Sequence, residues 1–230
     1  MEYTLLIGDR SYSSWSLRGW LPFAAFDIPV RVQSNILYRA AFADDLAAFA
    51  PGLRSVPALK TPQGGLLTDS IAIAWHLAEA FPDRGLLPLE PAQRAMAQSL
   101  IAEMHSGFGA LRSACPMNLR NAWAGFTPSA AVLADLARIE AIWATARDRA
   151  EGPFLFGAYT LADVFYAPIA MRIAGYGLPV SDRAQAYVAA HLNHPPLRQW
   201  RALGLSDGPE QPTYEMGLPR LPFPITPPEM

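Results

Sequence analysis

The first third of the chain alternates between strand-like and helix-like patterns of apolar residues. Tyr3–Ile7 is a short apolar run, which is typical of a buried strand. Over residues 13–26 the large apolar side chains recur every three or four positions, and this spacing predicts a helix. Residues 30–37 follow Pro29 and alternate apolar with polar positions, as a half-buried strand does.

A hairpin and a second helix are predicted next. Residues 57–60 and 66–68 flank a Pro-Gln-Gly-Gly segment, and its glycines supply the positive φ that a hairpin turn favours. A one-sided apolar stripe then predicts a helix that Pro82 ends. The stripe consists of Ile71, Trp75, Ala78 and Phe81. The order of elements is therefore βαβ followed by ββα, an α+β arrangement.

The remainder of the chain predicts helices and no strand. One long helix is expected over residues 91–112, and Thr127-Pro128 resembles a cap followed by proline at the first helical position. Further helices are expected over residues 160–173, 181–192 and 196–203. We therefore predict an α+β domain over residues 1–82, a linker over 83–91, an all-α domain over 92–204 and a proline-rich tail over 205–230, expected to lie extended over the surface.

Composition and charge narrow the class of protein. The 230 residues are 51% apolar and 17% charged, as expected for a well-cored folded chain. The net charge is −2, so no basic field is expected to bind nucleic acid. No apolar run reaches the ~18 residues that suggest a membrane span, and the first residues lack the features of a signal peptide. A cytoplasmic protein is the expectation.

The cysteine and histidine content argues against several chemistries. Cys115 is the single cysteine, which excludes an intrachain disulfide, a CxxC redox pair and a multi-cysteine zinc cluster. The four histidines lack the spacing of a metalloprotease motif, and no metal site is expected. A buried, inert thiol is the favoured interpretation of Cys115.

Serines stand where the first predicted helix begins. The segment Ser13-Ser14-Trp15-Ser16-Leu17-Arg18 directly follows the first strand. A helix that starts here directs free N–H groups and a positive dipole end forwards, which favours an anion. A serine hydroxyl can also donate a hydrogen bond to a thiolate. The structural alternative is that Ser13 or Ser14 only caps the helix.

Three further motifs follow along the chain. If the Val56–Pro57 bond is cis, the Val56 backbone can pair with another peptide, as in strand addition. Asp69 and Ser70 precede the second helix, where they can hold the ammonium and carboxylate of an amino acid or act only as caps. Thr160 and Asp163 have the spacing of a capping box, for which a structural role is expected.

Taken in order, these motifs resemble those of the soluble glutathione transferases of the serine type, and most of all the zeta-like and related bacterial members. That family has a serine five residues before an arginine at the start of its first helix, and Ser13 and Arg18 match this spacing. Its cis-proline motif matches Val56-Pro57, and its acidic-serine motif matches Asp69-Ser70. The resemblance spans residues 3 to about 203. It implies a thioredoxin-like domain followed by an all-helical domain, glutathione as co-substrate, and a homodimer.

The resemblance also implies roles for individual residues. Ser13 would hydrogen-bond the glutathione sulfur, with Ser14 as the second choice. Val56, with Pro57, would pair with the cysteinyl unit, Asp69 and Ser70 would hold the γ-glutamyl group, and Arg54 would lie near the glycine carboxylate. Trp15 stands where the zeta pattern has a cysteine, which argues against the zeta isomerase activity. Conjugation, peroxide reduction and isomerisation all stay open.

The second-substrate pocket is expected where the long helix lies opposite the serines of the first helix. The candidates are Met104, His105, Phe108 and Arg112, although the apolar members of such a stripe often face the core. Arg112 in the cleft would favour a small anionic or electron-poor electrophile. A non-catalytic binding or scaffolding protein on the same fold is the alternative function, because fold does not fix function.

Overall fold

A computed structural model describes residues 2–148 and 150–224. Its first half is built on a four-stranded sheet in the order β2-β1-β3-β4. The strands are β1 (Tyr3–Ile7), β2 (Val30–Ser34), β3 (Ala58–Lys60) and β4 (Leu66–Leu67). β1 pairs parallel with β2 and antiparallel with β3, and β3 pairs antiparallel with β4. Leu5 lies at the centre, opposite both Val32 and Leu59.

Helices cover both faces of this sheet. α1 (Ser14–Ala25) packs against α3 (Ser70–Ala80), and their buried apolar residues include Leu17 and Leu77. α2 (Phe42–Phe49) packs Leu46 against Leu6 in a smaller cluster. The thioredoxin-like arrangement is thus confirmed, with one addition to the predicted βαβ-ββα order. α2 was not predicted because it has only about two turns and buries only two residues, too few for a clear helical period.

The second half is predominantly helical, as expected. Its helices are α4 (Pro91–Ser106), α5 (Gly109–Ala114), α6 (Ala130–Arg147), α7 (Leu161–Tyr176), α8 (Asp182–Asn193) and α9 (Pro195–Ser206). α7 is buried along nearly its whole length and contacts α4, α8 and α1. Together with α9, which also packs on α1, it joins the helical half to the sheet half. α6 is capped by Ser129, two residues after the expected cap at Thr127.

The long helix predicted over residues 91–112 is broken in two. Phe108 has φ 58°, in the left-handed region, and it separates α4 from α5. A Cβ on Gly107 would lie 2.7 Å from the backbone oxygen of Glu103, so the chain leaves α4 where only glycine fits. The break turns Arg112 back, and its Nη1 donates to the oxygens of His105 and Gly107, both at 3.3 Å.

The expectation of no strand after Pro91 was wrong. β5 (Asn121–Trp123) pairs antiparallel with β6 (Arg220–Pro222), which belongs to the tail. Each strand has three residues, so neither shows a period that sequence could reveal. This pairing ties the tail to the helical half.

The tail is also anchored on the sheet half. Asp207 accepts from Arg10 Nη1 at 2.7 Å, and the rings of Tyr12 and Tyr214 lie 4.5 Å apart between centroids. Phe223 is buried near the end of the described chain. The tail thus lies over both halves, although the part beyond residue 224 is outside the described residues.

The predicted capping box at the start of α7 is confirmed. Asp163 Oδ2 accepts from the Thr160 N–H at 2.8 Å, and Oδ1 accepts from the Leu155 N–H and the Tyr187 hydroxyl. Burial raises the pKa of the Asp163 carboxyl to about 6. Within residues 2–148 and 150–224, no helix is both long and apolar enough to cross a membrane.

Candidate active site

The first turn of α1 carries three serines with different partners. Ser13 is the N-cap, and its hydroxyl oxygen accepts from the Ser16 N–H at 3.2 Å. The hydroxyl oxygens of Ser13 and Ser16 are 2.8 Å apart, and Ser16 Oγ accepts from the Gly8 N–H at 2.9 Å. The Ser14 hydroxyl makes no hydrogen bond with the described residues. A capping hydroxyl and a hydroxyl without a partner are therefore both present at this helix start.

The loop before β3 presents a free segment of backbone. The peptide bond between Val56 and Pro57 is cis. Pro57 packs on α1, where a Cβ on Gly19 would come within 2.7 Å of the proline ring. The N–H and C=O groups of Val56 take part in no hydrogen bond of the described residues. They are available to an extended peptide.

Asp69 and Ser70 lie at the start of α3. Asp69 is the N-cap, and its Oδ1 accepts from the Ile71 N–H at 2.7 Å. Its Oδ2 lies 3.6 Å from His105 Nε2. The Ser70 hydroxyl is buried and has no partner in the described part of the chain. Asp69 is therefore a cap with a spare carboxylate oxygen, and Ser70 offers an unused hydroxyl.

Two cavities bring these groups together. The larger, of about 650 Å³, lies between the sheet half and the helical half, and the smaller, of about 150 Å³, lies at the start of α3. Trp15, Ser55 and Val56 line both, so the cavities are neighbours. Ser13, Ser14, Arg54 and Arg112 line the larger, and Pro57, Asp69 and Ser70 line the smaller.

Trp15 is surrounded by cationic and aromatic side chains. The guanidinium carbons of Arg18 and Arg112 lie 4.6 and 4.7 Å from the centre of its ring. Both distances are suited to cation–π attraction. The Arg18 side chain is fully buried, and burial followed by repulsion from Arg172 and Arg112 lowers its pKa. Trp15 thus lines both cavities and contacts a buried charge.

The four residues predicted for the second-substrate pocket are placed differently from one another. Arg112 lines the larger cavity. Met104 is fully buried, and Phe108 packs beside Tyr166, so both belong to the core and not to the wall. They were expected on the wall because an unbroken helix would have carried them on one face with Arg112.

His105 lies behind Trp15 instead of on either cavity wall. The two ring centres are 5.2 Å apart, and Nε2 of His105 lies 3.6 Å from Oδ2 of Asp69. Burial lowers the pKa of His105, Asp69 opposes this change, and Arg18 and Arg112 add to it. His105 is therefore held neutral near neutral pH.

Arg172 and Tyr214 also line the larger cavity, which no pattern in the sequence predicts. Arg172 lies on α7 and reaches the cavity from the helical half, while Tyr214 reaches it from the tail. Both are more than a hundred residues from Ser13 in the chain, and no local pattern marks them.

Burial raises the pKa of the Cys115 thiol to about 12, consistent with an inert thiol.

The fold and the site together define a two-domain protein whose thioredoxin-like half and helical half enclose a polar cleft. Two family models match the chain, and together they cover more than half of it. They are described as the N-terminal domain of glutathione S-transferase, over residues 12–80, and its C-terminal domain, over residues 129–202. The chain belongs to the glutathione S-transferase family, and it is an enzyme of that family by these matches.

Solved structures agree with this fold. A glutathione transferase homolog from Burkholderia gl BGR1, solved with bound glutathione, is 21% identical, with 90% of this chain and 100% of that chain covered at a TM-score of 0.67. The Omega 3C glutathione transferase of Trametes versicolor is 19% identical over 91% of each chain, at a TM-score of 0.64. A Tau class enzyme of mango, Mangifera indica, is 16% identical over 87% and 92%, at a TM-score of 0.66. No curated protein gives a significant sequence match.

Proposed function

We propose that this chain ionises glutathione at the start of α1 and directs the thiolate at a small electrophile in the larger cavity. One observation carries the proposal. The serines of α1, the unpaired backbone of Val56 and the Asp69-Ser70 pair line two cavities that share three residues. A tripeptide with a central cysteine needs a site for its charged amino-terminal end, a backbone partner for the cysteinyl unit and a donor for the thiol, and these three groups supply them.

The γ-glutamyl end would occupy the smaller cavity. The free oxygen of Asp69 suits its ammonium group, and the start of α3 with the unused Ser70 hydroxyl suits its carboxylate. Val56 would pair with the cysteinyl backbone, next to Pro57, and Arg54 would lie near the glycine carboxylate. The Burkholderia structure with bound glutathione supports this use of the fold.

The thiol would then lie before the first turn of α1. A free cysteine thiol has a pKa of about 8.5, and lowering it by ~2 units requires ~2.7 kcal/mol. The positive end of a helix contributes about 0.3–2 kcal/mol, and one charge-assisted hydrogen bond about 1.5–3 kcal/mol. Together these two effects are large enough.

Ser13 and Ser14 are the two candidates for the hydrogen bond. Ser13 accepts from the Ser16 N–H and donates its proton to the Ser16 hydroxyl oxygen, so a bound thiolate would have to take that proton over from Ser16. Ser14 lines the same cavity with an uncommitted hydroxyl. Ser13 remains the first choice, because it is held in one orientation by two contacts, whereas Ser14 has none to orient it.

The test is the pKa of bound glutathione, measured by thiolate ultraviolet absorbance against pH. Ser13→Ala is expected to raise that pKa and lower turnover, with little change in glutathione affinity. Ser113→Ala is the matched control, because Ser113 lines the same cavity from α5 and is expected to leave the thiol pKa unchanged. An unchanged pKa in Ser13→Ala with a raised pKa in Ser14→Ala would transfer the role to Ser14.

The alternative of a non-catalytic binding protein gives a different result. Calorimetry would then show glutathione binding, while no electrophile from a broad panel would be turned over. Which reaction dominates follows from the same panel, because conjugation, peroxide reduction and isomerisation all begin with the thiolate. We also propose a homodimer, which sedimentation at micromolar concentration would test.

A further inference from the structure

The part of the larger cavity's wall that the helical half contributes is cationic. Arg112 and Arg172 both lie on it, one from α5 and one from α7. Among the described residues that line this cavity, none is Asp or Glu. The glutathione positions proposed above use Arg54 and the sheet half, so these two arginines face the space left for the second substrate.

Arg172 is held in place without any carboxylate partner. Its side chain is only 5% exposed, and its Nε donates to the Cys115 oxygen at 2.8 Å while Nη1 donates to the Pro168 oxygen at 3.2 Å. Burial, and next the charge of Arg112, lower its pKa to about 10. Both causes act against the charged form, and an anion nearby would oppose them.

Arg112 is fixed by the end of α4. Its Nη1 contacts the carbonyl oxygens of His105 and Gly107, where the negative end of the helix dipole favours a cation. Its guanidinium also lies over Trp15. Within residues 2–148 and 150–224 Arg112 forms no ion pair, and its partners are two carbonyl oxygens and a ring. Some of the N–H donors of its guanidinium group therefore have no partner.

The charges around Trp15 do not balance. Arg112 and Arg172 both lower the pKa of Arg18, Arg112 also lowers that of Arg172, and Asp69 is the carboxylate that acts on Arg18. Asp69 is committed to capping α3 and to the smaller cavity. An excess of positive charge is thus built into rigid elements and faces the larger cavity, which is an arrangement that a bound anion stabilises.

We propose that the electrophile of this enzyme carries a carboxylate, which Arg112 and Arg172 hold together while its reactive carbon faces the glutathione sulfur. The inference rests on the proposed function and adds the substrate class to it. Tyr12, Met117 and Tyr214 supply apolar and aromatic surface beside the two arginines. An aryl or unsaturated carboxylate of modest size fits this combination.

The binding test uses product-like ligands that need no chemistry. We compare S-(4-carboxybenzyl)glutathione with its uncharged carboxamide analogue and with glutathione itself, by calorimetry on the full chain. The carboxylate ligand is expected to bind about tenfold to a hundredfold more tightly than the carboxamide, as for one or two hydrogen bonds to charged groups. Arg112→Gln and Arg172→Gln should each remove most of this preference and leave the affinity for glutathione unchanged.

The outcomes separate this inference from the proposed function. Equal binding of the two benzyl ligands would overturn the carboxylate site and leave the transferase intact. No binding of glutathione or of either ligand would overturn both. Loss of glutathione affinity in Arg112→Gln and Arg172→Gln would also overturn the inference, because the arginines would then hold the tripeptide.

A turnover test gives a second measurement. The substrate is (E)-3-benzoylacrylate, in which the thiolate adds to the double bond and forms a C–S bond. The electron pair of the C=C bond moves to the ketone oxygen, and the carbon next to the ketone then takes a proton from solvent. The rate is compared with that of the amide, each divided by its uncatalysed rate with glutathione. Because Arg172 is buried, Arg172→Lys is included, and it should retain part of the preference if the protein folds. A preference that survives Arg112→Gln unchanged would contradict the site.

Discussion

The hydroxyl oxygens of Ser13 and Ser16 lie 2.8 Å apart at the first turn of α1. Ser16 is fully buried, and its hydroxyl oxygen accepts from the Gly8 N–H and from the Ser13 hydroxyl. Ser13 accepts from the Ser16 N–H and donates its own proton to Ser16, so a thiolate in the cavity would compete with Ser16 for that proton. Ser16 is therefore a positioning residue for Ser13 and contacts no substrate itself.

Ser16→Ala is expected to lower the pKa of bound glutathione, opposite to the rise expected in Ser13→Ala. The physical reason is that the Ser13 proton loses the Ser16 acceptor, which competes with the thiolate for it. Stability should fall by about 1–3 kcal/mol, because the Gly8 N–H loses its buried partner. Ser16→Thr keeps the hydroxyl and should keep the thiol pKa even if its extra methyl lowers stability. A wild-type pKa in Ser16→Ala would show that Ser13 is not oriented in this way.

Asp69→Asn is expected to separate helix capping from ligand binding. Asparagine caps a helix about as well as aspartate, so the free energy of unfolding should change by no more than about 0.5 kcal/mol. Glutathione affinity should fall, because the amide offers no charge to the ammonium group. Asp69→Ala should lose about 1 kcal/mol of stability as well. Urea unfolding and calorimetry measure the two effects. Unchanged affinity in both variants would remove Asp69 from the binding site.

Gly107→Ala is expected to disturb the site from a distance. The added Cβ would meet the Glu103 backbone oxygen at 2.7 Å, so the break between α4 and α5 has to move, and Arg112 moves with it. We expect a loss of about 1–3 kcal/mol of stability and a weaker preference for carboxylate electrophiles. Gly109→Ala is the control for stability, since a Cβ there meets nothing within 4 Å. If both variants unfold at the same urea concentration, the close approach at Gly107 is not a constraint.

His191→Leu is expected to reduce the sensitivity of the fold to acid. Burial, and next the charge of His194, lower the pKa of His191 to about 3, while the unfolded chain has the ordinary value of about 6.5. The unfolded state therefore binds the extra proton below about pH 6.5, and the fold loses stability as the pH falls from there towards 3.

The measurement is urea unfolding of wild type and His191→Leu between pH 7 and pH 4. The difference in unfolding free energy between the two should change in favour of the variant by about 1.4 kcal/mol per pH unit below pH 6. Asp163, with a pKa raised by burial to about 6, opposes the acid loss in both proteins and cancels from the comparison. Parallel pH profiles would show that His191 is protonated equally in both states.

Much of the fold could be predicted because its signals are local. β1, α1 and α3 have apolar patterns of the right length, and the Gly-Gly turn identifies the hairpin of β3 and β4. The capping box at Thr160 and Asp163 has a fixed spacing and was found in the structure. α2 and β5 were missed because segments of two turns or three residues carry too little pattern to exceed chance.

The candidate site was predicted on one side and only partly on the other. Ser13, Val56 and Asp69 each lie at the start of a helix or beside a proline, where sequence has a direct physical meaning. On the helical side the prediction was wrong at the break after α4. Met104, Phe108 and Leu111 continue the apolar spacing across this break, and all three are buried. A pattern that records burial does not record where a helix turns.

The sequence by itself determined the order of the elements and the residues at the helix starts, because hydrophobic periodicity and capping depend on neighbours within a few positions. Only the tertiary structure decided which distant residues line the larger cavity. Arg172 and Tyr214 come to the cavity from α7 and from the tail, and Arg112 faces it because Phe108 adopts the left-handed conformation. Such placements follow from the packing of distant segments, and no short stretch of the chain encodes them.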